Sequence, residues 1–292
     1  MLKGVHFLDI QGQNLSLRLT NQEFHLLRDL IHRQYGISLS EQKRALMLGR
    51  LSQVVQQLGL SNFGQYYQHV LRDPTDESLT TLANCISTNH TFFYREPQHY
   101  DFLRQVALPN LQKAAQIRSE KKLRIWCAGC SSGEEPYTLS IVLHDFFREQ
   151  AKEWDIGILA TDISNQVLQA ARTGCYAEEN VANVPAELRS TFFQRVDESC
   201  WQVKAQVREP ILFRRLNLMQ EHFPFRGKLD FIFCRNVMIY FDSLTKGILL
   251  DKFFRFTRPG GYLFVGHSEA LGHNRASYQY VQPAIYRKEG AA

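Results

Sequence analysis

Five residues carry the chemistry most readily read from this sequence: Gly129, Gly133, Glu134 and Glu135 in RIWCAGCSSGEEPYTLSIVL (124–143), and Asp162 in ILATDIS (158–164). The first stretch reads as a short apolar strand, a turn, and a helix opened by the two glutamates. In an open α/β sheet, ligands sit beyond the carboxyl ends of the strands, and the first strand-to-helix turn reaches them first. A phosphate loop needs Gly-x4-Gly-Lys-Ser/Thr and a dinucleotide turn needs Gly-x-Gly-x-x-Gly. GCSSG is neither, and carboxylates beside it repel pyrophosphate. The expected ligand is therefore cationic and phosphate-free. S-adenosylmethionine meets that description, with an amino group and a sulfonium for Glu134, and ribose hydroxyls that Asp162 can accept as a pair. On these residues alone, a nicotinamide dinucleotide and a sheet holding no nucleotide stand as alternatives, and either acid could instead cap a helix.

The elements that position these groups follow a strand–turn–helix rhythm from Leu123: LRIWCA then PYTLSIVLHDFFRE, IGILATD then SNQVLQAARTG, LDFIFCRN then SLTKGILLDKFFRFT, and YLFVGHS after an RPGG turn. Alternation of this kind predicts βαβ units and a mainly parallel, doubly wound sheet. Residues 177–216 break the rhythm with three short strand-like runs, STFFQRV, WQVKAQV and ILFRRLNL, and predict a small antiparallel insertion. Before the sheet, TNQEFHLLRDLIHRQYG has Thr20 and Glu23 spaced as a capping box, an apolar face, and Gly36 at its end. Three further amphipathic runs follow, to about residue 87. The predicted organisation is an all-helical domain over 1–88, a linker and connecting helix over 89–122, and the α/β domain over 123–292.

The 292 residues, 44% hydrophobic, suffice for two cores, and a net charge of +5 without dense basic blocks argues against a nucleic-acid tail. MLKGVHFLDIQG has no apolar core of signal-peptide length. The six cysteines are thus expected to be reduced, the protein cytoplasmic, and no segment inserted in a membrane. Cys127-x-x-Cys130 lies within the glycine loop without a second such pair, so it reads as packing, and no metal site is expected. His90 and His267 are likewise read as packing or hydrogen-bonding residues.

With STNHTFFYRE (87–96), CAGCSSGEEPYTLS, ATDIS, CRNVMIYFD (234–242) and GHSEAL (266–271) in order, residues 20–288 resemble a CheR-type chemotaxis receptor methyltransferase. The resemblance implies an S-adenosylmethionine domain of Rossmann-like fold with a β-subdomain insertion, behind an all-helical domain. It implies transfer of methyl groups to glutamates on the cytoplasmic methylation helices of chemoreceptors, leaving S-adenosylhomocysteine. It places cofactor contacts on Asn89, Thr91, Arg95, Glu134, Asp162, Asn217, Leu218, Arg235 and Asn236, and a catalytic role on Tyr240. Arg95 could serve either the cofactor's carboxylate or the target's. A basic helix carrying Lys43, Arg44 and Arg50 is expected to steer the acidic substrate, with a solvated helix face as the plain alternative.

Members that dock a receptor's C-terminal pentapeptide have a longer, glycine-rich loop in the β-subdomain. RVDESCWQV is short and lacks glycine, so independence from such a tether is expected. No Ser/His/Asp or Cys/His set is visible, and none is needed. A glutamate with a reference pKa near ~4.3 is already ionised at neutral pH, so alignment is the main requirement. CRNVMIYF lacks the Asn/Asp-Pro-Pro-aromatic motif used on flipped bases, which argues against nucleic-acid methylation. A non-catalytic S-adenosylmethionine-binding signalling module is the alternative function.

Overall fold

A computed structural model describes residues 17–87, 89–269, 271 and 278–289. The leader-free reading of residues 1–12 lies outside them. Contacts divide the chain into two units, one built from residues up to 87 except 35–37, the other from 35–37 and everything after 87.

The first unit contains α1 (Asn21–Tyr35), α2 (Arg44–Gln57), α3 (Phe63–Arg72) and α4 (Glu77–Ile86). The α1 capping box forms: Thr20 N–H donates to Glu23 Oε2 at 2.9 Å, and Glu23 N–H to Thr20 Oγ1 at 3.2 Å. Asn62 caps α3 by accepting Gln65 N–H at 2.9 Å. The apolar faces close on Phe24, Leu27, Ile31, Met47, Leu51, Val55, Tyr66 and Leu82, all buried.

The second unit contains strands β1 (Lys122–Ala128), β2 (Asp155–Asp162), β3 (Cys175–Tyr176), β4 (Phe193–Arg195), β5 (Trp201–Val203), β6 (Ile211–Arg215), β7 (Leu229–Cys234), β8 (Thr257–Val265), β9 (Gln279–Gln282) and β10 (Ile285–Arg287). Its helices are α5 (Gln98–Phe102), α6 (Leu108–Arg118), α7 (Glu134–Phe147), α8 (Asn165–Thr173), the short α9 (Glu178–Val181), α10 (Ala186–Phe192) and α11 (Ala205–Arg208), and α12 (Ser243–Phe256). Among the described residues the main sheet runs β6-β2-β1-β7-β8-β10-β9. The strands from β6 to β8 are parallel, and β10 and β9 add an antiparallel edge. Because the chain leaves β1 toward β2 and β6 and returns to β7 on the other side, the order reverses between β1 and β7. A crevice at the carboxyl ends follows from that reversal. The interior is aromatic, with Phe233 and Phe264 stacked at 4.2 Å between centroids.

Three expectations change. Ile211–Arg215 was expected in the insertion, yet it pairs in parallel with β2, from Ile158↔Ile211 to Asp162↔Arg215, so the small sheet is β3-β5-β4 alone. A strand of five residues does not announce its partner, and the apolar edge of β2 takes it. The RPGG run is a bulge inside β8: between the pairs Leu229↔Thr257 and Phe231↔Tyr262, one residue of β7 faces four of β8. Gly261 is required there, since a Cβ would lie 2.6 Å from Asp230 O. Finally, Cys175 and Cys200 are bonded, Cα atoms 5.6 Å apart, which corrects the expectation of six free thiols. The antiparallel pairing of β3 with β5 brings together cysteines 25 residues apart, a proximity their spacing does not reveal.

Candidate functional site

The glycine turn follows β1, and its backbone is held to β2: Gly129 N–H and Cys130 N–H both donate to Thr161 O, at 2.8 and 2.9 Å. Gly129 has φ +93°, and a Cβ there would fall 2.4 Å from Val237 Cγ2, a side chain beyond β7. The two strands flanking the reversal therefore meet where only glycine fits. Gly133, at φ +99°, would press a Cβ to 2.9 Å from Ala171 and 3.0 Å from the Tyr176 hydroxyl. That hydroxyl donates to Ser132 O at 2.7 Å, so the small sheet braces the loop.

The two glutamates opening α7 have separate uses. Glu135 Oε2 accepts Arg235 Nη1–H at 2.8 Å. Glu134 is 3% exposed, and its carboxylate accepts the Ser132 hydroxyl at 2.7 Å. Asp162, half-buried at the end of β2, accepts Ser131 N–H on Oδ2 at 2.9 Å and Ser164 N–H on Oδ1 at 3.0 Å. Each oxygen keeps a lone pair for a further donor. Burial raises the pKa of both Glu134 and Asp162. Among the described residues neither carboxylate meets a basic side chain, in contrast to Glu135 and Glu96.

Several sequence-derived groups come together around this loop. Asn89 is exposed, and its carbonyl accepts the Ser131 hydroxyl at 2.9 Å, linking the 89–96 segment through Ser131 to Asp162. Leu216 N–H donates to Asp162 O at 3.0 Å, which sets Asn217 and Leu218 beside the end of β2. Leu218 is 7% exposed, and Asn217 Oδ1 accepts Met219 N–H at 2.9 Å. Thr91 is half-buried. Asn236 has φ +59° and donates its N–H to Glu269 Oε2 at 2.7 Å. Tyr240 is half-buried at the end of the turn Met238–Tyr240. Arg95 folds back on its own segment: Nη1 donates to His90 O at 2.9 Å, and the guanidinium lies 5.8 Å from the Phe92 ring centroid.

Arg235 turns its guanidinium into the protein. Its side chain is 2% exposed, and all five N–H donors are used within the protein. Nε donates to Glu96 at 3.3 Å, Nη1 to the Tyr100 hydroxyl at 3.0 Å and to Glu135, and Nη2 to Arg95 O and to Glu96 at 3.2 Å. The guanidinium is the cation that balances two largely enclosed carboxylates, Glu96 and Glu135. Burial opposes its charge, but Tyr100, Glu135 and Glu96 outweigh that and raise its pKa. Burial likewise works to raise Glu96, yet Arg235 and the His267 N–H bring it below its ordinary value.

Sequence reasoning missed Glu96, Tyr100, His99 and Glu269. Glu96 and Glu269 stand inside quoted motifs, but no local signal shows that Glu96 pairs across 139 residues. His99 is fully buried, and burial together with Arg235 pushes its pKa down to about 3, so it is neutral. Glu96, His99 and His267 hold donor atoms within 4.8 Å of one another. Arg235 already neutralises Glu96 and disfavours a second cation there. The arrangement as a whole offers a tight backbone cradle, one buried and one half-buried carboxylate without a basic side chain beside them, and the apolar Leu218. That set suits a cationic, phosphate-free nucleoside.

The family model described as "CheR methyltransferase, SAM binding domain" matches residues 89–286, and "CheR methyltransferase, all-alpha domain" matches residues 22–87. The "Chemotaxis protein methyltransferase" of Borreliella burgdorferi is 40% identical over 275 residues, 94% of this chain and 97% of that one. "Chemotaxis protein methyltransferase 2" of Pseudomonas aeruginosa is 36% identical, covering 94% and 95%. The Escherichia coli "Chemotaxis protein methyltransferase" is 33% identical, covering 92% of each. Helical unit and cradle sheet each match their own model, and the likeness runs nearly end to end; the chain belongs to the CheR methyltransferase family and uses S-adenosylmethionine.

Proposed function

We propose that this protein methylates glutamate side chains on the cytoplasmic helices of chemoreceptors, acting in the cytoplasm and without a receptor tether. The observation that carries the reading is the pair of carboxylates, buried Glu134 and half-buried Asp162, left without a basic partner beside a cradle only glycine can form. S-adenosylmethionine supplies an activated methyl group on a sulfonium. Glu134 would hold its ammonium, Asp162 its ribose, and Leu218 its adenine face, with Asn89, Thr91, Asn217 and Asn236 completing the pocket. Arg95, folded toward its own segment, would meet a carboxylate at the pocket's edge.

The incoming glutamate needs no base, because its carboxylate is ionised at neutral pH. The chain's task is to align a carboxylate oxygen with the methyl carbon and to exclude water, which can lower the barrier by about 7 kcal/mol or more. Tyr240, at the end of the turn after β7, would donate its hydroxyl to that carboxylate and line its approach. Tether independence is supported by the β4–β5 connection. It is short and self-contained, with Ser199 N–H and Oγ both donating to Asp197 Oδ1 at 2.7 Å.

The test is transfer of labelled methyl to receptor membranes. Alkali-labile label on receptor glutamates is expected; no transfer despite cofactor binding would show a non-catalytic sensor, and alkali-stable label another acceptor. Calorimetry with the receptors' own C-terminal pentapeptide is expected to show no tight binding.

A further inference from the structure

Glu269 belongs to the turn His267–Glu269 after β8 and is 5% exposed. Its Oε2 accepts Asn236 N–H and Gly266 N–H, each at 2.7 Å, and its Oε1 accepts Ile239 N–H at 2.9 Å. Two of these donors come from the segment between β7 and Tyr240. Neither is matched by a ladder bond, because the chain there has left the strand: Asn236 is at φ +59°, and Met238–Tyr240 is a single tight turn. Gly266 is shaped to the same clasp, since a Cβ would fall 2.8 Å from Glu269 Oε2 and 2.7 Å from Asn236 Nδ2. One carboxylate thus fastens the backbone on both sides of Val237 and Met238, one residue short of Tyr240.

We infer that Glu269 is a positioning residue for methyl transfer, its carboxylate setting the backbone of residues 236–239 and through it the placement of the Tyr240 side chain. This rests on the role proposed above for Tyr240. A carboxylate is the group the geometry requires. Only an acceptor with two oxygens and no donor serves three N–H groups from two directions, and charge-assisted bonds to backbone amides are the strong ones. In Glu269→Gln, the amide oxygen can keep Asn236 and Gly266 while the amide nitrogen confronts Ile239 N–H. The bond released is then the one adjacent to Tyr240.

The experiment compares the full-length protein with Glu269→Gln, Tyr240→Phe and the double variant in the receptor methylation assay. Hydrogen exchange of the peptide spanning 235–241 is measured alongside. Expected for Glu269→Gln is a kcat lower by about 10- to 100-fold, the scale of a small misplacement, with cofactor Kd and receptor KM unchanged. Exchange in the 235–241 peptide should quicken, and the double variant should be no slower than the slower single one. An unchanged kcat, unchanged exchange, a loss carried by cofactor Kd, or losses that multiply in the double variant would each overturn the inference. If the unaltered protein transfers no methyl to receptors, it is the proposed function that fails, before any variant is compared.

Discussion

At the residue scale, the cofactor reading turns on two acids of unequal visibility. Asp162 closes a strand and Glu134 opens a helix, and both positions follow from the strand–turn–helix pattern. That they stay without a basic partner while Glu135, one residue on from Glu134, is taken by Arg235 depends on which way each side chain leaves its strand or helix. Asp162→Asn should weaken S-adenosylmethionine binding by about 10- to 100-fold, the scale of a lost hydrogen-bond pair to a charged group, as read by calorimetry. A change below twofold would contradict the assignment. The acids also set a pH dependence. Burial raises the pKa of both, so the free protein takes up protons there earlier than ordinary carboxylates do as pH falls. A bound cation favours the ionised forms, so affinity is full above the raised values and declines as pH drops through them. Titration downward from neutral pH should show that decline setting in above the range of ordinary carboxylates, and shallower in Asp162→Asn.

At the element scale, the cradle is held by connections between strand ends. Arg235, from the end of β7, joins the 95–96 backbone and carboxylate, α5 through Tyr100, and α7 through Glu135. Arg235→Met would leave Glu96 and Glu135 buried without their cation, at a cost of about 3–5 kcal/mol in denaturant unfolding. Adding Glu96→Gln and Glu135→Gln should recover part of that loss, since the destabilisation comes from uncompensated charge. A loss under about 1 kcal/mol for Arg235→Met alone would mean that water reaches the acids.

At the scale of the whole molecule, the question is whether Lys43, Arg44 and Arg50 of the helical unit would steer the acidic substrate proposed above. Arg44 donates to Asn21 Oδ1 and Leu19 O. Arg50 Nη1 donates to Cys85 O, Ile86 O and Ser87 O, at 3.1 to 3.3 Å, at the end of α4. Both add to the domain's field, but reversing them would also remove these bonds. Lys43→Glu tests steering while leaving the Arg44 and Arg50 bonds in place. It should raise the receptor KM at low salt and flatten its salt dependence, leaving kcat at saturating receptor unaltered. The same KM at every salt concentration would mark α2 as a solvated face.

Periodicity and turn chemistry made much of this molecule legible in its sequence. A capping box and amphipathic periodicity marked the first-unit helices, and alternating strand and helix patterns marked the parallel sheet, because those signals act within a few residues. The acidic character of the glycine turn was likewise local and pointed to the cofactor class. Long-range encounters were not legible. The pairing of β6 with β2, the joining of Cys175 to Cys200, the five-donor enclosure of Arg235 and the clasp of Glu269 on residues 236–239 each unite groups far apart in the chain. Residue type states what a group can bond to, but only packing decides which partner comes within reach, and burial then makes that choice energetically binding.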